Sequence, residues 1–270
     1  MIYVIIDEIY DAVVNYSYDG YILAIQTFIL TIILDICSYQ TIYDLCGKQK
    51  NGTRLYISAI VLNIINHFCI GGPIYGIASK FLCSSSSNNT INNGNYVGNI
   101  LQHILSVVVV MFLHAIQYYA IHKYFHESPK LYRIVHQYHH QFKLYVPPMA
   151  ANAVTPTEYL IAYAIPFATA CIILPNVAKT TIILKHAIMY ISITNLFVHT
   201  PLLQRLSTKY LIPNNFLFVS TDDHLTHHSK VTTKYASPTF NIDNIIKRLT
   251  KQQPQRHGDG EGGIKKKKKT

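Results

Sequence analysis

The sequence predicts an all-α fold, an integral membrane helical bundle with a histidine-rich site at one end. Half of the 270 residues are hydrophobic and only 13% are charged, with a mean hydropathy of +0.18. That composition is too apolar for an ordinary soluble domain of this length. Five apolar stretches divide the chain, and those of about twenty residues or more can cross a hydrocarbon core of about 30 Å. They cover residues 21–38, 55–78, 98–121, 159–174 and 181–199.

The predicted N-terminal membrane segment, residues 1–97, contains the first two apolar stretches as helices. Its first twenty residues carry four acidic side chains and no basic one, so they do not resemble a cleavable signal peptide. The fourth stretch, residues 159–174, is short for a membrane crossing. The apolar hairpin that it forms with the fifth stretch is therefore expected either to span the membrane or to be re-entrant.

Charged residues predict the orientation of the chain in the membrane. A basic loop at residues 48–54 follows the first stretch, and a basic segment at residues 123–143 follows the third. Both are expected in the cytosol, whereas the uncharged residues 84–95 are expected on the far side. In this topology the N-terminus is outside and the C-terminus is cytosolic. The glycosylation sequon that begins at Asn88 is then luminal, and the one that begins at Asn51 is not.

Histidines supply the strongest local signal, because eight of the fourteen fall into three tight clusters. Residues at i, i+3 and i+4 lie on one face of a helix, so each cluster is predicted to present its imidazoles to one point. Eight nitrogen ligands exceed the four of a closed zinc site, which indicates two metal ions. Imidazole suits iron, zinc and copper alike. The clusters are His122-x3-His126, His136-x2-His139-His140 and His224-x2-His227-His228.

Helix signals flank the second and third clusters. The Ser-Pro pair at 128–129 is expected to begin a helix that carries the second cluster, and the two prolines at 147–148 are expected to end it. Ser220 and Asp223 have the spacing of a capping box, which predicts a short helix for the third cluster. Asp222 or Asp223 could instead orient a ligand histidine from outside the coordination sphere. Capping is the favoured role.

The remaining composition excludes other kinds of site. The five cysteines are odd in number and form no CxxC pair, so neither a disulfide framework nor a thiolate metal site is indicated. Much of the net charge of +10 lies in a predicted disordered basic tail, residues 251–270. That tail lacks interleaved aromatic residues, so anionic lipid head groups rather than nucleic acid are its expected partner. Its last four residues also resemble the dilysine retrieval signal of endoplasmic-reticulum membrane proteins.

The residues around the clusters follow a specific order. The first cluster stands in Tyr119-Ala-Ile-His122-Lys123-x2-His126, and the second in Pro129-Lys-Leu-Tyr132-Arg133-x2-His136-x2-His139-His140. Glu158 follows Thr155-Pro156-Thr157. The third cluster, Asp223-His224-x2-His227-His228, precedes Lys234-Tyr235-Ala-Ser-Pro-Thr-Phe240-Asn-Ile-Asp243. From about residue 117 to 249, this order and spacing resemble the fatty acid hydroxylase and sterol desaturase superfamily of integral-membrane di-metal oxygenases.

The resemblance implies a catalytic domain at residues 98–250 that binds two non-haem iron ions and uses dioxygen. Glu158, Asp222 and Asp223 are the candidates to act on the ligands from outside the coordination sphere. His199 is similar to a histidine that the family places at the end of the apolar hairpin. The implied metal ligands are therefore His122, His126, His136, His139, His140, His199, His224, His227 and His228.

The function that the resemblance implies is hydroxylation or desaturation of a lipid, either a sterol or a fatty acyl chain. No dinucleotide fingerprint or haem motif is present, so a cytochrome b-type donor and its reductase would supply electrons. The implied location is the endoplasmic reticulum membrane, with the histidines in the cytosol.

Two alternatives remain open. A non-redox zinc hydrolase should have a general base such as the Glu of HExxH, and the sequence has no such motif. A non-catalytic metal-binding or transport protein should place its ligands near the middle of the bilayer, whereas these clusters lie at helix ends. His114 is the exception, about 10 Å inside the third stretch. It is expected either to hydrogen-bond a neighbouring helix or to line a substrate cavity.

Overall fold

The computed structural model describes residues 2–83, 96–174, 180–202, 217–235 and 237–251. Within these ranges the chain is helical and forms no strand, which confirms the predicted all-α class. The sequon at Asn88 and almost all of the basic tail lie outside the described residues. The α-helices are α1 (Ile2–Tyr16), α2 (Tyr18–Cys37), α3 (Tyr39–Lys48), α4 (Gly52–Ile64), α5 (Gly72–Leu82), α6 (Tyr96–Glu127), α7 (Pro129–Leu131), α8 (Pro156–Glu158), α9 (Ile165–Ile173), α10 (Thr181–Val198), α11 (Thr221–Ser229) and α12 (Ile242–Lys251).

π-helical turns, which are wider than an α-helix, and 3-10 turns, which are tighter, interrupt this series of α-helices. Three π-helical turns cover Ile65–Gly71, Tyr132–His136 and Tyr159–Ala164. Two 3-10 turns cover His139–Gln141 and Pro148–Asn152. The π turns at 65–71 and 159–164 join α4 to α5 and α8 to α9, so each of these pairs forms one continuous helical rod.

Among the described residues, five helical stretches are long and apolar enough to cross a membrane, and each overlaps one of the five predicted stretches. At most 39% of the residues in any of them are buried inside the protein. The outward side chains are largely apolar, as at Ile25, Ile29 and Leu101. A surface of this kind suits contact with lipid, and the chain is an integral membrane protein. The stretches are Tyr18–Cys37, Gly52–Leu82, Gly98–Glu127, Pro156–Ile173 and Thr181–Val198.

The interior of the bundle is a continuous apolar core. Leu23, Tyr75, Val110, Phe167 and Leu184 contact one another through α2, α5, α6, α9 and α10. Lipid tails are as apolar as this core, so close packing rather than water exclusion holds such helices together.

Close approach of α2 and α5 depends on glycine. A Cβ atom on Gly20 would lie 2.7 Å from the Cβ of Tyr75, and one on Gly72 would lie 2.6 Å from the ring of Tyr21. The two helices therefore pack at a separation that side chains at these positions would prevent.

A segment at residues 142–154, the closing segment, is buried at Phe142 and from Val146 onward and packs at one end of the bundle next to the second histidine cluster. Its Phe142 and Met149 pack against Leu45, Leu55 and Ala59 at the adjoining ends of α3 and α4. Most of the segment is irregular or 3-10, so its carbonyl groups need partners that a regular helix would have supplied.

Three asparagines in the apolar helices supply those partners. The Nδ2 of Asn63 donates to the carbonyl of Met149 at 2.8 Å, and that of Asn66 donates to the carbonyl of Val154 at 2.9 Å. Asn195 donates to the carbonyl of Ala151 at 3.0 Å. These three bonds tie the closing segment to α4, to the first π turn and to α10. Because little water reaches this depth, each amide removes an otherwise unsatisfied acceptor.

The helix predicted for the second cluster begins as expected but does not continue as expected. The Oγ of Ser128 accepts a hydrogen bond from the Leu131 nitrogen at 3.5 Å, which confirms the start. The π turn Tyr132–His136 and the 3-10 turn His139–Gln141 then replace a regular α-helix. The helical path ends at Gln141, so the prediction that the prolines at 147–148 end it was wrong. The change of pitch turns its histidines towards two different points.

Candidate metal centre

All nine predicted histidine ligands lie in the described part of the chain and converge at one end of the bundle. They form two adjoining groups, and within each group the candidate ligand atoms lie within 4.8 Å of one another. The rings of His140 and His228, one from each group, have centroids 5.0 Å apart. The five-histidine group is His122, His126, His136, His140 and His227, and the four-histidine group is His139, His199, His224 and His228.

The second and third clusters are each divided between the two groups. His139 belongs to the four-histidine group and its neighbour His140 to the five-histidine group, and His228 and His227 divide in the same way. The prediction that each cluster presents its rings to one point was therefore wrong for these two clusters. The physical reason on α11 is that adjacent residues of an α-helix project about 100° apart. A His-His pair can therefore supply two sites.

Burial favours the neutral form of six of these imidazoles, because it lowers their pKa. Eight of the nine rings are buried and His126 is half-buried. Burial lowers the pKa of His199 and of His227 to about 4. Burial and the neighbouring histidines lower the pKa of His139, His140, His224 and His228 well below the ordinary value. A neutral ring keeps the lone pair that a metal ion requires.

Hydrogen bonds fix the orientation of four rings. In each, Nδ1 lies against a carbonyl or carboxylate oxygen, which can only accept, so Nδ1 carries the proton and Nε2 carries the lone pair. The four bonds run from His122 to the Tyr235 carbonyl at 3.0 Å, from His136 to Glu158 Oε1 at 2.7 Å, from His199 to the Asn195 carbonyl at 2.7 Å, and from His227 to the Thr233 carbonyl at 2.7 Å.

The inward nitrogens of the five-histidine group then face each other as acceptors. Nε2 of His122 lies 2.9 Å from Nε2 of His136 and 3.2 Å from Nε2 of His227. With the proton of each ring on Nδ1, no hydrogen bond can join these atoms. A cation among them would replace lone-pair repulsion by coordination. Two nitrogens bound at 2.0 to 2.1 Å to one ion, at right angles, lie about 2.9 Å apart.

The four-histidine group has similar spacing. Nε2 of His199 lies 2.8 Å from Nε2 of His224 and 3.4 Å from Nε2 of His228. The Nδ1 atoms of His139 and His228 are buried and have no hydrogen-bond partner among the described residues. Both groups therefore fit metal ions in donor type, spacing and burial.

Glu158 lies directly behind one ring of the five-histidine group. Its side chain and that of His136 are almost completely buried, with 1% and 0% exposure. The Oγ1 of Thr155 accepts from the Glu158 nitrogen at 3.2 Å and donates to the Val135 carbonyl at 2.8 Å. This link joins the helix that carries Glu158 to the turn that carries His136. A carboxylate in this position makes the imidazole a stronger ligand.

The two aspartates of α11 lie elsewhere. The Oγ of Ser220 accepts from the Asp223 nitrogen at 3.1 Å, which confirms the predicted N-cap. In the described part of the chain, the Asp223 carboxylate pairs with Lys234 and accepts from Asn241. Asp222 is exposed on the first turn of the same helix.

The acceptors that orient His122, His199 and His227 are backbone carbonyls, and the sequence did not reveal them. Any residue type can supply a carbonyl, so no side-chain pattern marks its position. The asparagines that hold the closing segment did leave a signal. Polar residues such as Asn63, Asn66 and Asn195 inside apolar stretches are costly there, and their presence indicates a structural or functional bond.

Comparison with known proteins gives one match. A family model described as fatty acid hydroxylase matches residues 107–247, just over half of the chain. The matched region contains all nine histidines and Glu158. No curated protein and no solved structure matches the chain.

Proposed function

This chain belongs to the fatty acid hydroxylase family, and we propose that it is a membrane-bound di-iron oxygenase that hydroxylates or desaturates a lipid. The observation that carries the proposal is the pair of adjoining histidine groups at one end of an apolar bundle. Hydroxylation would convert a C–H bond, dioxygen, two electrons and two protons to an alcohol and water. Desaturation would break two adjacent C–H bonds with the same dioxygen, electrons and protons, and release two waters with the alkene.

Iron is the proposed metal because the reaction needs a redox centre. Protein side chains cannot break an unactivated C–H bond, so bound iron would supply the oxidising chemistry. His122, His126, His136, His140 and His227 would hold one ion, and His139, His199, His224 and His228 would hold the other. Through His136, Glu158 would add negative charge to a ligand set that is otherwise neutral.

The surrounding chain would position the ligands and exclude water. Carbonyl groups of Thr233, Tyr235 and Asn195 hold three rings in the ligating tautomer. The closing segment, with Phe142 and Met149 buried, packs against α3 and α4 and holds the chain next to the second histidine cluster in place. Such fixed positions keep a reactive centre aligned and dry.

Electrons would reach this site from a cytochrome b-type donor and its reductase. The five-histidine group approaches the surface at His126, whose ring lies 5.2 Å from that of Tyr235 and 5.4 Å from that of Tyr132. Lys130 and Arg133 are exposed on the following turn. Positive charge at this edge would favour an acidic donor protein.

The location and domain limits are proposed with the same function. We place the catalytic domain at residues 98–250, between a membrane segment at 1–97 and a basic tail at 251–270. The histidine-bearing end and the C-terminus would face the cytosol from the endoplasmic reticulum membrane. The basic loops next to that end support this orientation.

Lipid analysis in a host that lacks its own sterol and acyl hydroxylases tests the proposal. Expression of the full chain with iron and an electron donor should yield an oxidised or desaturated lipid. His139→Ala should abolish that product, because it removes a proposed ligand. His103→Ala is the matched control, because His103 bonds His186 outside the two groups, at 2.8 Å. Absence of any such product from the wild-type chain would contradict the proposal and favour a non-redox zinc enzyme or a metal-binding protein.

A further inference from the structure

A cavity of about 90 Å³ lies inside the bundle, and Asn195 in its wall accepts a hydrogen bond from His199 of the four-histidine group through its backbone carbonyl. Apolar side chains such as Phe167, Ile188 and Ile191 line much of it. Two amides, Asn152 and Asn195, also line it. The cavity is therefore apolar over most of its wall and contains a local polar pair.

The hydrogen bonds of the two amides fix their orientation. The Nδ2 of Asn195 donates to the carbonyl of Ala151 at 3.0 Å and to Oδ1 of Asn152 at 2.9 Å. A carbonyl can only accept, so Asn195 must present its nitrogen on this side. Asn152 must then offer its oxygen to Asn195. The atoms left over are Nδ2 of Asn152, a donor, and Oδ1 of Asn195, an acceptor.

Both leftover atoms are buried and have no hydrogen-bond partner within the described residues. Asn152 is 6% exposed and Asn195 is 2% exposed. A buried polar atom without a partner is costly, and a ligand that satisfies it gains affinity. One donor beside one acceptor suits a group that both accepts and donates.

We propose that this cavity binds a lipid that carries a hydroxyl or amide group, which accepts from Asn152 and donates to Asn195. The inference rests on the proposed function, since it names the substrate class of the same enzyme. A hydrocarbon chain satisfies neither atom, and an ether or ester satisfies the donor alone. His114 also lines the cavity. Lining a substrate cavity was one of the two roles predicted for His114 from the sequence.

The position of the pair also predicts where the lipid is oxidised. Asn195 precedes His199 by one helical turn, about 6 Å along the axis, and its carbonyl accepts from the ring of His199 at 2.7 Å. A hydroxyl or amide bound at the pair would therefore lie beside the four-histidine group. The oxidised carbon should be only a few bonds from that polar group.

Competition binding to the wild-type chain in lipid nanodiscs tests the inference without turnover. The probe is tritiated 1-dodecanol, and the competitors are unlabelled 1-dodecanol, dodecanamide, dodecyl methyl ether and dodecane, compared at equal mole fraction in the membrane. The alcohol and the amide should compete at least about ten-fold better than the ether and the alkane, because one or two buried hydrogen bonds separate them. Equal competition by the ether and the alcohol would overturn the inference.

A pair of variants then assigns the preference to the amides. Asn152→Leu should reduce the preference for alcohol over ether to near unity. Asn63→Leu is the matched control, because Asn63 donates to the carbonyls of Ala59 and Met149 and does not line the cavity. Its preference should remain, and equal loss in both variants would contradict the role of Asn152.

Failure of this inference is distinguishable from failure of the proposed function. Alcohol-selective binding without any oxidised lipid would contradict the proposed oxygenase function and support the proposed lipid selectivity of the cavity. Oxidised lipid from a chain that binds ether and alcohol equally would support the proposed oxygenase function and contradict the proposed lipid selectivity of the cavity.

Discussion

The five-histidine group and the four-histidine group differ in their surroundings. Three rings of the five-histidine group are held by oxygen acceptors, and its His126 reaches the surface. All four rings of the other group are buried, and His199 is linked to the cavity wall through the backbone carbonyl of Asn195. One group thus reaches the protein surface at His126, and the other is linked to the wall of the cavity through Asn195. The difference teaches that nine histidines from the same sequence motifs can lie in two different environments, one half-open to the surface and one fully buried.

Removal of one ligand from each group is the strongest way to break the comparison. His139→Ala leaves three histidines in its group, whereas His140→Ala leaves four in the other. Both variants should abolish turnover, since the proposed reaction requires both groups. Each substitution should lower the metal affinity of its own group at least about 100-fold. The iron content after dialysis should fall further in His139→Ala, because its group retains fewer ligands. Equal iron content in the two variants would contradict this distinction.

Glu158→Gln should have the next largest effect, and only on the five-histidine group. Glutamine keeps the shape but loses the negative charge behind His136, which should lower metal affinity or activity about 10- to 100-fold. Asp223→Asn is the matched control, because the Asp223 carboxylate pairs with Lys234 and Asn241. Metal titration of both variants measures the effect. An unchanged affinity in Glu158→Gln would show that the carboxylate has no such role.

Acid should destabilise the metal-free protein. Burial lowers the pKa of His199 and of His227, one from each group, to about 4, whereas an unfolded histidine titrates near 6.5. As the pH falls below about 6.5, the unfolded state takes up protons first, so stability is lost progressively towards pH 4. Thermal unfolding in detergent should show a lower midpoint at pH 5 than at pH 7.5. Bound metal should reduce that loss, and a midpoint independent of pH would contradict neutral burial.

The smallest effect is expected from the helix cap that serves both groups. Ser220→Ala removes the bond to the Asp223 nitrogen at the start of α11, which carries His224, His227 and His228. Loss of such a cap costs roughly 0.5 to 2 kcal/mol of stability. The unfolding midpoint should fall slightly while metal content stays near that of the wild type. Ser220→Thr should restore the midpoint, because threonine is also an accepted N-cap.

Sequence patterns predicted the parts of this structure that depend on side-chain type. Apolar length located all five candidate spans, and the spacing of Ser220 and Asp223 predicted the cap of α11. The rule that residues at i, i+3 and i+4 face one point failed for the second and third clusters. A π turn at Tyr132–His136 breaks the α-helical period before His139 and His140, and on α11 the adjacent His227 and His228 project about 100° apart. The carbonyls of Thr233 and Tyr235 were also beyond prediction. Backbone atoms are the same at every position, so only the folded chain shows which of them meet a ring.

The central claim is that the two histidine groups bind two iron ions. The full chain is purified in detergent and stripped of metal. It is then incubated anaerobically with excess ferrous iron and desalted. Elemental analysis measures the bound iron relative to the protein concentration. The account predicts about two irons per chain, about one in His139→Ala and about two in His103→Ala. One ion or none in the wild-type chain, or no loss in His139→Ala, would contradict it.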